Sequence, residues 1–190
     1  MKYYSLLFVG DKNYSFISDI NFDFNVIDYV DIFKRIKLSS TYCNNFELII
    51  KADKLWPDFI CSPVCWPIFS NRFFEIIKFN NDEDFQILPI TMSAKKQPYR
   101  YYLLNCLKDY DCIDIFNSEI DDYPETEYSK NHEVIMELAL KKELIPKEIK
   151  VFRVHGDLTR LIFREDLVKE ILSHKLQGFH FEEVTVSINE

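Results

Sequence analysis

The chain has 190 residues, with 47% hydrophobic and 16% aromatic content, which is enough apolar matter for a real core and excludes a disordered chain. Its 31 acids against 23 Lys and Arg leave a net charge of −8, which disfavours nucleic acid and anionic membrane as partners, because phosphate contacts need cations. Its three glycines, Gly10, Gly156 and Gly178, are too few and too scattered for a Gly-rich phosphate loop, which excludes Rossmann and P-loop readings.

Residues 2–9 predict a strand. Asp11 to Asn25 is mixed in pattern and specifies no definite element. From Ile27 to Leu38 apolar residues recur at spacings of three and four. That predicts a helix with Lys34, Arg35 and Lys37 in its last turn, where cations suit the dipole. Ser39, Ser40 and Thr41 break the pattern, and Phe46 to Ile50 predicts a short strand. Leu55 to Pro67 sets Pro57, Pro63 and Pro67 among Trp56 and Trp66, so an irregular, aromatic-packed connection is expected. Ser70 reads as the N-cap of a helix over Asn71 to Lys78 that buries Phe73, Phe74 and Ile77. Asn80 to Asp84 is an acidic turn. Phe85 to Met92 predicts a strand, and Pro89 within it forces an edge position or a bulge. Ser93 to Pro98 is a basic turn.

Tyr99 to Ser118 is the stretch around which the chain is organised. Tyr99 to Cys106 reads as a buried strand, forming an antiparallel hairpin with 85–92. Its continuation alternates Tyr110, Cys112, Ile113 and Ile115 with Asp109, Asp111 and Asp114, which suits an edge strand and its turn. Asp121 to His132 contains Pro124 and predicts a loop. Val134 to Leu140 fits a strand or short helix, and Lys141 to Lys150 a polar connection. Val151 to Val154 and Leu158 to Phe163 predict strands around Gly156–Asp157. Arg164 to His174 predicts an amphipathic helix burying Leu167, Val168, Ile171 and Leu172. Gly178 supplies a positive-φ position after it, and Phe179 to Val186 closes the chain as a strand. The fold class expected is α+β, a mainly antiparallel sheet with two or more packed helices.

The five cysteines, Cys43, Cys61, Cys65, Cys106 and Cys112, are odd in number, and the N-terminal apolar run is too short for a signal peptide. Free thiols and a cytoplasmic location are expected. Cys61-Ser-Pro-Val-Cys65 is half of a metal knuckle without a second pair, so no metal and no cofactor are expected. Cys106 with His155, or a carboxylate pair such as Asp121/Asp122 or Glu182/Glu183, would be needed for hydrolytic chemistry. No local sequence supports either, and no enzyme activity is expected.

From Asp109 to Glu127 the acids are Asp109, Asp111, Asp114, Glu119, Asp121, Asp122, Glu125 and Glu127, with no Lys or Arg among them. Tyr110, Phe116, Tyr123 and Tyr128 interleave. Acids steer a basic partner and aromatics supply contact area. The candidate partner-binding residues are therefore these eight acids with Tyr123 and Tyr128. A solvated loop is the plainer reading of the same run.

The order YYLLN, then D-C-I-D-I, then Ser118, resembles a family of bacterial immunity proteins from polymorphic toxin systems. PIFSNRFFEIIK with FQILPITM (67–78 and 85–92) and VFRVHGDLTRLIFREDLVKEIL…LQGFHFEEV (151–184) resemble the same family. The resemblance implies a protein that binds a cognate toxin and blocks it, without catalysis. A basic nuclease would complement the acidic charge. A hydrolase and an interaction module outside toxin immunity are the alternatives. Residues matching the family pattern are Pro89, Tyr102, Asn105, Asp114, Ser118, Gly178 and Phe181, for which a structural role is expected. Asn105 would bond neighbouring backbone, and Asp114 and Ser118 would serve as turn and capping groups. Residues 1–50 match poorly and 51–190 carry the immunity-like core, within one compact domain overall. Oligomeric state is not specified by the sequence.

Overall fold

The computed structural model describes residues 1–9, 13–22, 34–39, 42, 46–51, 55–60, 62–78, 84–90, 100–122 and 133–187. Strands β1 to β5 are Tyr3–Leu6, Phe16–Phe22, Phe46–Lys51, Phe59–Ile60 and Ile68–Ser70. Helix α1, Asn71–Ile76, precedes β6, Phe85–Ile90, and β7, Tyr101–Cys106. Strands β8 to β11 are Asp109–Tyr110, Glu119–Asp122, Glu133–Glu137 and Ala139–Lys141. Strands β12, Val151–Val154, and β13, Asp157–Arg164, lead to helix α2, Glu165–Ser173, and the closing strand β14, Phe181–Ser187.

Two sheets dominate. One has the order β11-β14-β1-β13-β12-β8, the other β4-β5-β7-β6, and β2–β3 and β9–β10 form separate two-stranded ladders. Among the pairs of named strands only β11–β14 and β12–β8 are parallel. The class is therefore α+β, with mainly antiparallel sheets and two packed helices.

The aromatic and aliphatic run of β7 is explained by burial on both faces, the condition under which a strand loses its polar alternation. Tyr101 and Leu103 enter a core with Ile17, Leu48, Trp66 and Leu88, beneath the β2–β3 hairpin. Leu104 and Cys106 point the other way, into a core shared with Leu6, Leu161 and Phe163 of the larger sheet and Leu167, Val168 and Ile171 of α2. The far face of the larger sheet carries Tyr3, Phe152, Ile162 and Val184, covered by Cys112, Leu140, Ile145 and Ile149. Strand β6 lies at the sheet edge with Pro89 opposite Tyr102, where a missing amide donor costs no ladder bond.

Helix α1 is too short to persist by propensity alone. It is held by its cap and by aromatic packing. Ser70 Oγ accepts from the Phe73 amide at 3.2 Å and donates to Asp58 at 2.7 Å, while the Phe73 ring stacks on Phe69 at 4.3 Å. The buried Asp58 carboxylate also accepts from Arg72 Nη1 at 3.0 Å and the Gln177 amide at 2.9 Å, tying the start of α1 to the segment after α2. Helix α2 buries Leu167, Val168 and Ile171 as expected, but Leu172 faces outward at the margin of that stripe.

Several expectations are corrected. Residues 34–38 are not the end of a helix: they form a turn and an extended segment, and Arg35 has φ +57°. The cause lies in two side-chain amides of the smaller sheet. Gln86 accepts from the Leu38 amide at 2.9 Å and donates to its carbonyl at 2.6 Å, and Asn105 Nδ2 donates to the Ile36 carbonyl at 2.9 Å. These bonds occupy backbone groups that a helix would use itself. The remainder of that expected helix, 27–33, lies outside the described residues, as does the basic turn 93–98. Asp11 to Asn25 contains β2, paired with β3 from Phe16↔Lys51 to Phe22↔Phe46. The Pro-rich connection contains the two-residue strand β4. Asp121 and Asp122 belong to a strand rather than a loop, and 123–132 lie outside the described residues. Residues 134–140 form strand segments, and 141–150 include a 3-10 turn, Lys142–Leu144, followed by the buried Ile145.

Candidate interaction surface

The acid-rich segment begins on β8, at one edge of the larger sheet, and its stretch from Cys112 to Ser118 runs beside β11, at the other end of the strand order. Between them Cys112 is buried under the sheet face, and burial pushes its thiol pKa up to about 12. The Lys141 amide donates to the Cys112 carbonyl at 2.8 Å, and the Asp114 amide donates to the Ala139 carbonyl at 2.9 Å, so the segment is stitched to β11. The run is thus no continuous loop. Its members are sorted by the fold into braced, buried and exposed positions.

Asp109 is braced: Arg35 Nη1 lies 2.8 and 3.0 Å from its two oxygens, and His155 Nδ1 lies 3.2 Å from Oδ2. Tyr110 packs edge-on against Phe152 at 5.7 Å, so its ring joins the core. Asp111 is exposed. Asp114 is buried at the start of a tight turn. Its Oδ1 accepts from the Phe116 amide at 3.2 Å, an Asx turn, and its Oδ2 accepts from Asn117 Nδ2 at 2.6 Å. Its carbonyl accepts from the Asn117 and Ser118 amides at 3.2 and 2.9 Å. Hydrogen bonds from Ser187 and Asn117 hold its carboxyl below the usual carboxylate range. Ser118 Oγ accepts from the Ala139 amide at 2.9 Å.

The tip of this braced turn is apolar. Ile115 is 67% exposed and Phe116 92% exposed, the most exposed of the large hydrophobic residues described. A phenyl ring that open makes almost no contact with its own chain.

Beyond the turn, β9 pairs antiparallel with β10, and the register sets acid against acid. Glu119 is opposite Glu137, Asp122 is opposite Glu133, and Asp121 is opposite Val134. Glu119 and Glu137 are both exposed. Like charges directly opposite across a ladder are destabilising. The hairpin is held by other means: Ile135 is buried in the third core, and Arg160 Nη2 donates to the Ile135 and Met136 carbonyls at 2.6 and 3.2 Å.

Of the candidate contact residues, Asp111, Glu119, Asp121 and Asp122 are thus brought near the exposed turn in chain and ladder. Asp109 and Asp114 are engaged within the fold, and Tyr123, Glu125, Glu127 and Tyr128 lie outside the described residues. Ile115 and Phe116 are absent from the sequence-derived contact set. Their available signal was an apolar pair enclosed by Asp114 and Asn117–Ser118, residues that build turns. Three of the family-pattern residues make contacts within the fold. Asn105 Nδ2 reaches the Ile36 carbonyl and, at 3.2 Å, Gln86 Oε1; Phe181 packs edge-on against Phe163 at 5.4 Å; Tyr102 packs edge-on against Phe74 at 5.9 Å.

The residues weighed for chemistry are dispersed. Cys106 is buried, and burial raises its thiol pKa despite the neighbouring Arg153 guanidinium. His155 faces Asp109, and Cys61 lies outside the described residues. Among the described residues no group of three His, Cys, Asp or Glu is placed to hold a metal ion, and no helix is long and apolar enough to cross a membrane.

The model of the immunity protein family (Imm11) matches residues 41–186. A comparison with curated proteins found no match.

Proposed function

Since the chain belongs to the Imm11 immunity protein family, we propose that it neutralises its cognate toxin by direct, non-catalytic binding through the acidic β9–β10 ladder and the turn before it. The observation that carries this reading is the register of acid against acid. A hairpin selected for stability alone would set opposite or neutral residues there. Acids kept at such positions favour a partner that brings cations. A nuclease is the toxin class that charge favours, because an enzyme that grips phosphate presents Lys and Arg. Rim charges chiefly set the rate of encounter.

The test is kinetic. Asp121→Lys with Asp122→Lys should lower the association rate for the cognate toxin and flatten its salt dependence, while stability stays the same or rises by up to about 1 kcal/mol as the Asp122–Glu133 repulsion is relieved. Cells expressing that toxin should be less well protected by the variant. Unchanged kinetics with full protection would move the interface elsewhere on the molecule. Failure of the unmodified protein to bind that toxin would remove the reading.

A further inference from the structure

We propose that the Asp114–Ser118 turn is the anchor of the toxin contact, with the Phe116 ring seated in an apolar pocket of the toxin whose rim carries Lys and Arg. The inference rests on the immunity reading above and specifies what that reading leaves open: which side chain holds the complex together and what chemistry receives it. A surface turn needs only polar or small residues, and an exposed phenyl ring in water forgoes the stabilisation that burial would provide. Here the ring stands 92% exposed on a backbone fixed by its neighbours. Asp114 holds the Phe116 and Ser118 amides, Asn117 Nδ2 bridges Asp114 and Ser187 at 2.6 and 3.3 Å, and Ser118 is bonded to β11. A ring presented on a braced backbone loses little freedom when it docks. Central aromatic anchors within a polar rim are the usual arrangement of strong contacts.

Charge selects the occupant. The exposed acids Asp111 and Glu119 flank the turn, and no Lys or Arg occurs from Asp109 to Ser129. A second copy of this chain would bring the same acids and a net charge of −8 to the contact, so self-association through Phe116 is disfavoured. A pocket ringed by cations answers both the ring and its surroundings.

The experiment measures binding of the purified, inactivated cognate toxin to the unmodified protein and to Phe116→Ala and Phe116→Leu. The alanine variant should weaken the complex by about 10- to 100-fold, almost entirely through faster dissociation. The leucine variant should recover most of that loss, because the pocket asks for apolar volume. Thermal unfolding of both variants should match the unmodified protein, since the ring supports no core. If the unmodified protein binds and Phe116→Ala binds equally well, the anchor is overturned while the immunity reading stands. If sedimentation shows a dimer that Phe116→Ala dissolves without affecting toxin binding, the ring serves self-association and the proposal fails. If the unmodified protein does not bind the toxin, both fall together.

Discussion

Gly178 and Gly156 share φ +87°, a left-handed conformation in which a side chain is strained, yet their surroundings differ. A Cβ on Gly178 would lie 2.4 Å from the Phe59 carbonyl oxygen and 2.6 Å from Pro57 Cβ, whereas one on Gly156 would meet only Ile113 Cδ1 at 3.7 Å. The Phe59 carbonyl belongs to β4 and cannot step aside without moving the smaller sheet. Gly178→Ala should therefore cost more than the ~1–3 kcal/mol of backbone strain alone, and Gly156→Ala should stay near the low end of that range. Urea unfolding of the two variants checks the order, and equal losses would mean that the close approach at Gly178 relaxes freely. The conformational demand at Gly178 was readable from its place after an amphipathic helix. The close approach was not, because it depends on Pro57 and Phe59, more than a hundred residues away in the chain. Asp58 shows the same limit: within a Pro-rich connection it reads as an ordinary surface acid, while in the fold it gathers Ser70, Arg72 and the Gln177 amide.

Among the elements, the β9–β10 ladder, on the proposed reading, would set stability against association. Glu137→Lys, opposite Glu119, should stabilise the fold by about 0.2–1 kcal/mol, because it turns a repulsive cross-strand pair into an attractive one. The same change should slow association with a cationic toxin. A thermal midpoint that does not rise would show that the bulge between Ile135 and Glu137 already separates the charges. Strands and helices with a covered face were readable in advance: β7 from its unbroken apolar run, α2 from its stripe, α1 from the Ser70 cap, and the edge position of β6 from Pro89. The segment ending at Leu38 was not. Its spacing is helical, but the amides of Gln86 and Asn105 bind its backbone in an extended path. Such a competition is decided by side chains from β6 and β7, and no local periodicity reports it. The apolar turn at Ile115–Phe116 was obscured for a different reason. Alternation with acids made it look like an edge strand, and only the third dimension shows the ring standing clear.

Across the whole molecule, the two ends of the chain meet. Strand β1 lies between β13 and β14, with Tyr3 opposite Arg164 on one side and Val184 on the other. Strand β11 has β14 as its neighbour in the strand order and is also bonded to the stretch from Cys112 to Asp114. A variant ending after Phe179 should therefore leave β1 half paired and β11 with only its bonds to Cys112 and Asp114, and should be degraded by limited proteolysis under conditions where the full chain resists. Resistance in both would show that the larger sheet closes without β14.

The insertion of β1 beside β14 has a consequence in time. A ribosome adding about 5–20 residues per second needs roughly 10–40 s for a chain of this length, and domains fold as units once their parts have emerged. The larger sheet cannot close until residues 181–187 are available, so an unfinished copy has no completed platform beneath β9, β10 and the Phe116 turn. A toxin that arrives during synthesis meets only the copies already finished. On the proposed reading, protection would then draw on the pool of mature protein present at the moment of attack, and new synthesis would add to it only after this delay.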